Sequence, residues 1–260
     1  MPESPDGPAY RFDREHDLHE TRDTAGLNRL RPASWLRRND RVVQLRTVEV
    51  LEPFLREIRN PTVLVVGVGG GGIYEWLWRE PGALRLGLDV NHEVMRRAVA
   101  ERGPDNFRPI EGDAARLPFR DGSADVVFFD FSLHHLAGQG PIGPYVAEAA
   151  RVARRGGLLV AREPSSWSPS GVMLNVFNTF ELMNRLSGAS NQEFALSPVD
   201  VRAAFAQHGE ALVERGLSYM FAHRLPVWLQ KTTEALEPFL FAGKRGQRVA
   251  DFVLYVFRRT

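Results

Sequence analysis

Apolar residues come in short runs that alternate with helix-periodic segments along most of the chain. Val63-Leu64-Val65-Val66 is a continuous apolar run that stops at glycine, the pattern of a strand buried on both faces. Leu84–Leu88, a short stretch near Phe107–Ile110, Asp125–Phe131 and Gly157–Glu163 repeat it. Between them, Ile73–Arg79, His92–Glu101 and Pro144–Ala153 carry helical spacing. Strand and helix in strict alternation predict a parallel sheet with right-handed crossovers. Ahead of this core, Val43, Leu45, Val48, Leu51, Phe54, Leu55 and Ile58 share one helix face, with Asp40 as its expected cap and Pro53 expected to kink or shorten it. After Pro164 the alternation breaks. Val172, Val176, Phe177, Phe180 and Met183 recur at helical spacing, and Ser197-Pro198 opens another helix. Ala211–Tyr219 and Asp251–Phe257 read as closing strands, separated by helical positions at Val227, Leu229, Leu236 and Phe239.

The glycines give this pattern its chemistry. Gly67, Gly69, Gly70, Gly71 and Gly72 follow the first strand, where positive φ and a missing Cβ let a ligand approach the backbone. The second strand ends in Asp89, placed to accept hydrogen bonds from a ribose diol. Strand, glycine turn, helix, strand and acid together describe a nucleotide-type site at the carboxyl edge of a parallel sheet. Two ligands fit the glycines. Gly67-x-Gly69-x-x-Gly72, with Asp89 about 20 residues on, matches a dinucleotide fingerprint; Gly67-x-Gly69-x-Gly71 matches the looser turn of S-adenosyl-L-methionine (SAM) sites.

The downstream residues separate the two. Glu111-Gly112-Asp113-Ala114-Ala115-Arg116-Leu117-Pro118-Phe119, Asp121-Gly122-Ser123-Ala124-Asp125-Val126-Val127, Leu133-His134-His135-Leu136, Arg151-Val152 and Gly156-Gly157-Leu158-Leu159-Val160 follow in order. This set resembles the class I SAM-dependent methyltransferases, in particular the small-molecule branch that includes the quinone-biosynthesis enzymes. The resemblance runs from about Pro61 to Pro164.

It implies a Rossmann-like, doubly wound α/β fold with a mostly parallel seven-stranded sheet whose last strand is antiparallel. It also implies a helical N-terminal cap over residues 1–60, a SAM-binding domain over 61–260, and lid insertions at about 165–197 and 220–247. The cofactor contacts it implies are Gly67, Gly69 and Gly71 at the turn, Asp89 on the ribose with Val90 beside it, and Asp113 and Ala114 at the adenine. Phe131 and Ser132 would lie by the methionine moiety.

His134 and His135 follow the fourth strand on the edge where the methyl group would sit. An imidazole titrating near neutrality suits removal of a proton from a hydroxyl or an acidic carbon. Successive residues point different ways, so one of the two is the candidate base; a role in shaping the site is the alternative. Glu163, at the tip of strand five, is open to substrate contact or an edge salt bridge. Tyr10, His16 and His19 are candidates to close over SAM. Trp167, Phe177, Phe180, Phe194, Phe221 and Trp228 suggest an apolar pocket. Val65 departs from the family, many of whose members place an acid there to help hold the methionine amino group.

Composition narrows the partners. Lys+Arg 33 against Asp+Glu 32 leaves a formal net charge of +1, which disfavours a nucleic acid as substrate. Lysine occurs only at 231 and 244 among many arginines, a bias of GC-rich bacterial genes. The absence of cysteine excludes disulfides and thiolate chemistry, and no His/Asp/Glu cluster has metal spacing. No apolar run reaches the ~20 residues needed to cross a bilayer, and Met1–Tyr10 lacks signal-peptide character, so a cytoplasmic protein without membrane insertion is expected. The function expected is methyl transfer from SAM to oxygen or carbon of a small, rather apolar metabolite, with bacterial secondary metabolism as a setting. The alternatives are a nicotinamide-dependent oxidoreductase and a non-catalytic SAM-binding protein.

Overall fold

A computed structural model describes residues 33–69, 82–103, 107–138, 140–179, 194–219 and 249–260, with positions 232, 235–237, 239 and 246 between them. The elements in chain order are α1 (Ala33–Leu55), β1 (Thr62–Val66), β2 (Leu84–Asp89), α2 (His92–Arg102), β3 (Arg108–Glu111), β4 (Ala124–Asp130), α3 (Leu133–Leu136), α4 (Gly143–Val152), β5 (Ala153–Pro164), α5 (Pro169–Thr179), α6 (Pro198–Ala206), β6 (Gly209–Ser218) and β7 (Phe252–Arg259). The expected helix over 73–79, the insertion over 220–247 apart from the positions given, Gly71, and the N-terminal Tyr10, His16 and His19 lie outside the described residues.

The seven strands run in the order β3-β2-β1-β4-β5-β7-β6. The first five pair in parallel, and β7 is antiparallel to both β5 and β6. This is the doubly wound, Rossmann-like sheet that the resemblance implies, with the parallel core the alternation predicts. The winding reverses at β1, so the crevice between the ends of β1 and β4 is the switch point where ligands of such sheets bind.

The apolar runs explain why the sheet is covered on both sides. Successive residues of a strand face opposite ways. Val63, Val65, Val126, Phe128, Leu158 and Val160 join one core cluster with Val43, Leu51 and Leu55 of α1 and Met95 and Ala98 of α2. Leu64, Val66, Val127, Phe129, Leu159 and Ala161 join the other with α4 and α6.

Local signals set the helix ends. Asn91 caps α2 by accepting from the Val94 amide at 3.1 Å. Ser197 caps α6, with Pro198 in its first turn, as the sequence indicates. Asp40 is not a cap: α1 begins at Ala33 and runs through it. Pro53 does not stop α1 either, since the helix ends only two residues later and the ring costs it one backbone bond near a frayed end. β5 starts at Ala153 rather than at Gly157. It pairs Ala124 with Ala153 and then skips to Val126 with Leu158, an irregularity that Gly156, with φ +73°, turns through.

Phe205 of α6 is fully buried, edge-on to Phe129 with centroids 6.4 Å apart and 5.2 Å from the ring of Phe257. Phe205→Ala should therefore destabilise the fold by about 3–5 kcal/mol, read as a lowered urea midpoint with an unchanged slope.

Candidate functional site

Two loops form the site at the β1/β4 switch point. The first leaves β1 at Gly67, with φ +71°, and passes through Gly69, with φ +49°. Both are backbone conformations that side chains disfavour. A Cβ on Gly67 would lie 2.4 Å from the Cβ of Ser132, so glycine is what lets the second loop close against the first. Ser132 locks that contact by donating its hydroxyl to the Val66 carbonyl at 2.6 Å.

Asp89 ends β2 beside this turn. Its Oδ2 accepts from the Gly69 amide at 3.0 Å and its Oδ1 from the Asn91 amide at 2.9 Å. The carboxylate is thus aimed at the glycine turn, and the cap of α2 is Asn91 instead. Each carboxylate oxygen keeps a lone pair for a hydroxyl donor. Val90, next in sequence, is 71% exposed, an apolar side chain left on the surface at the lip of the site. Asp113 sits close by, because β3 pairs Glu111 with Asp89 and the Gly112 amide donates to the Asp89 carbonyl at 3.2 Å. Asp113 Oδ1 accepts from the Ala115 amide at 2.8 Å, which shapes the loop, and the Ala114 methyl enters the core. A carboxylate at the glycine turn, an exposed apolar side chain and a second carboxylate-bearing loop thus lie in one row.

The second loop follows β4. Phe131 holds φ +53°, a left-handed conformation that costs a non-glycine residue about 1–3 kcal/mol. Its ring lies under the Arg162 guanidinium, 4.7 Å from ring centroid to the carbon, and edge-on to Phe252 at 5.0 Å. Phe131 therefore anchors the loop with its ring against β5 and β7. Asp130, just before it, accepts from Arg162 Nε at 2.7 Å. Arg162 is fully buried and donates through Nη1 to Gln44 and Thr47 of α1 at 2.8 and 2.9 Å. Its Nη2 lies 2.5 Å from Asp130 Oδ1 but outside hydrogen-bond geometry. Burial pushes the Asp130 carboxyl above the usual range, against the pull of Arg162.

Glu163 faces the other way from Arg162. Its carboxylate is 1% exposed and gathers the loop onto itself. Oε1 accepts from the amides of Ser132 at 3.0 Å and Leu133 at 2.9 Å. Oε2 accepts from the His134 amide at 3.3 Å and lies 2.7 Å from His134 Nδ1. The imidazole of His134 is buried; that of His135 is exposed and tilted across it, with centroids 4.1 Å apart. A carboxylate at Nδ1 fixes that nitrogen as the N–H and leaves Nε2 as the acceptor of a neutral ring.

The sequence pointed to Gly67, Gly69, Asp89, Val90, Asp113, Ala114, Phe131, His134 and His135, and all lie along this one edge. Glu163 makes neither an open substrate contact nor an edge salt bridge: its carboxylate is buried and bonded to the amides of the β4 loop and to His134. Asp130 and Arg162 were missed. The available signal was a charge closing each of two apolar runs, Val126–Phe129 and Leu158–Ala161.

Comparison with known proteins places the segment that holds this edge. Residues 64–161 match a family profile described as a methyltransferase domain. The ubiquinone/menaquinone biosynthesis C-methyltransferase of Dinoroseobacter shibae is 32% identical over 130 residues, covering 47% of this chain and 51% of that protein. The 2-methyl-6-phytyl-1,4-hydroquinone methyltransferase of Synechocystis is 28% identical over 193 residues, covering 71% and 58%. The chain spans about half the length of these curated relatives. Among solved structures, a geranyl diphosphate methyltransferase in complex with SAM shares the fold at a TM-score of 0.56 and 18% identity, covering 100% of this chain and 93% of that one. Residues 64–161, which include the glycine turn and Asp89, therefore form a SAM-dependent methyltransferase domain, similar to that of the quinone-biosynthesis C-methyltransferases.

Proposed function

We propose that the protein transfers a methyl group from SAM to oxygen or carbon of a small, rather apolar metabolite, with His134 as general base and Glu163 as the residue that positions it. The observation that carries this reading is the 2.7 Å contact between buried Glu163 and His134 Nδ1. Gly67, Gly69, Asp89, Val90, Asp113 and Ala114 would hold the nucleoside. SAM supplies an electrophilic methyl carbon whose departing sulfur keeps the C–S electron pair. The acceptor's hydroxyl or acidic C–H gives its proton to His134 Nε2, and the electron pair so released forms the new bond to the methyl carbon. Glu163 stabilises the imidazolium that results.

An apolar acceptor is supported by the chain after β5. Val172 and Val176 stand one helical turn apart on the exposed face of α5, and Trp167 precedes them, also exposed. The names of the relatives point the same way, since they carry quinone and prenylated hydroquinone acceptors. Among the described residues no group of three or more His, Asp or Glu could hold a metal ion, and no helix is long and apolar enough to cross a membrane.

Isothermal titration with SAM and S-adenosylhomocysteine tests the cofactor. Both should bind, and Asp89→Ala should weaken each at least tenfold through loss of the diol hydrogen bonds. Binding of neither to the wild type would refute the assignment.

His134→Ala should lower kcat about 10²–10⁴-fold with S-adenosylhomocysteine affinity unchanged, and His135→Ala should lower it far less. Glu163→Gln separates positioning from mere support. A glutamine amide can donate to Nδ1, which forces the proton onto Nε2 and blocks the base, as happens when the acid of a catalytic triad becomes an amide. It should lower kcat nearly as far as His134→Ala. Full activity in both variants would leave proximity as the source of the rate.

A further inference from the structure

SAM ends in an amino acid, and its ammonium needs an acceptor. The position from which the resemblance leads one to expect an acid, two residues before Gly67, is Val65, fully buried in the apolar cluster beneath α1. The strand register shows what replaces it. Val65 lies opposite Phe128 and Val66 opposite Phe129, so Asp130 comes level with Gly67. Alternate residues share a face, which puts Asp130 on the same face as Val65 and Phe128, about 7 Å closer to the sheet edge.

Asp130 is built to receive a charge. Arg162 engages Oδ1 through Nε, while Oδ2 has no hydrogen bond among the described residues, and the side chain keeps 14% of its surface accessible. Arg162 cannot swing away, because Gln44 and Thr47 hold its Nη1 from α1. The other carboxylates of this edge are committed elsewhere. Asp89 serves the glycine turn on the far side of β1, and both oxygens of Glu163 are filled by the β4 loop. A carboxylate with one open oxygen, level with the glycine turn and held by a buried cation, matches a primary ammonium.

We propose that Asp130 accepts the ammonium of the cofactor's amino-acid tail, in place of the acid absent at Val65, with Arg162 as the residue that positions it. This rests on the reading of the chain as a SAM-binding methyltransferase. The tail is zwitterionic, so its own carboxylate compensates the added cation.

The test separates the tail from the nucleoside. S-adenosylhomocysteine and 5′-methylthioadenosine share the nucleoside and the thioether sulfur, and only the first carries the amino acid. By isothermal titration, Asp130→Asn should weaken S-adenosylhomocysteine about 10- to 100-fold, the range of a charge-assisted hydrogen bond. It should leave 5′-methylthioadenosine within about twofold, because the nucleoside contacts lie elsewhere. Equal weakening of both ligands, or of neither, would overturn the proposal. Should Asp130→Asn fail to fold, the wild type alone decides. A deaminated S-adenosylhomocysteine, its carboxylate retained, should lose the same 10- to 100-fold, and undiminished affinity would overturn the proposal. A wild type that binds none of these ligands would instead overturn the underlying SAM reading, and this inference with it.

Discussion

The buried carboxylate of Glu163 is the interaction on which the site depends. An anion withdrawn from water is costly unless its acceptor capacity is filled. Here three consecutive amides and an imidazole fill it, all from the loop after β4. The loop has little else to fix its path, since α3 is a single turn of four residues. Remove the charge and the first amides of that turn lose their partners together. The bond also runs between neighbouring strands, so β5 sets the position of a loop that belongs to β4 and borders the crevice.

Arg162 extends the same logic to the opposite face. Residues 162 and 163 are consecutive in a strand and so point to opposite sides of the sheet. Arg162 reaches Gln44 and Thr47 on α1, while Glu163 reaches α3. One dipeptide at the end of an apolar strand therefore fastens a helix on one face and an imidazole on the other. The left-handed backbone of Phe131 lies between these attachments. Its strain is held there by the Arg162 stacking and by the Ser132 bonds on either side of the sheet end.

Much of this arrangement was legible in the chain. Four apolar residues ending at glycine gave β1 and its turn, and the Leu84–Leu88 run gave both β2 and the acid at its tip. Such features are local, because burial on both faces leaves a continuous apolar run. The limits of β5 were not legible, because the irregularity opposite Ala124 depends on how two strands meet. The start of α1 was missed for a related reason: Asp40 resembles a cap, but the helix is held by packing of Val43, Leu51 and Leu55 on the sheet. His134 and His135 were indistinguishable as neighbours in sequence. What separates them is a carboxylate 29 residues away from His134. Asp130 and Arg162 escaped notice because each looks like an ordinary strand end until register brings them together.

The charges also bear on the choice between the two ligands that the glycines allow. Asp89 does not discriminate, since either a dinucleotide or SAM offers it a ribose diol. The β4 side of the crevice does. It presents the partly accessible Asp130 carboxylate, while Arg162, which holds it, is fully buried and also bonded to α1. A diphosphate brought against the accessible Asp130 carboxylate would meet repulsion from it. A sulfonium with an ammonium beside it would meet attraction from the same carboxylate. The sign of the charge at the end of β4, more than the glycine spacing, is the physical ground for a cationic methyl donor.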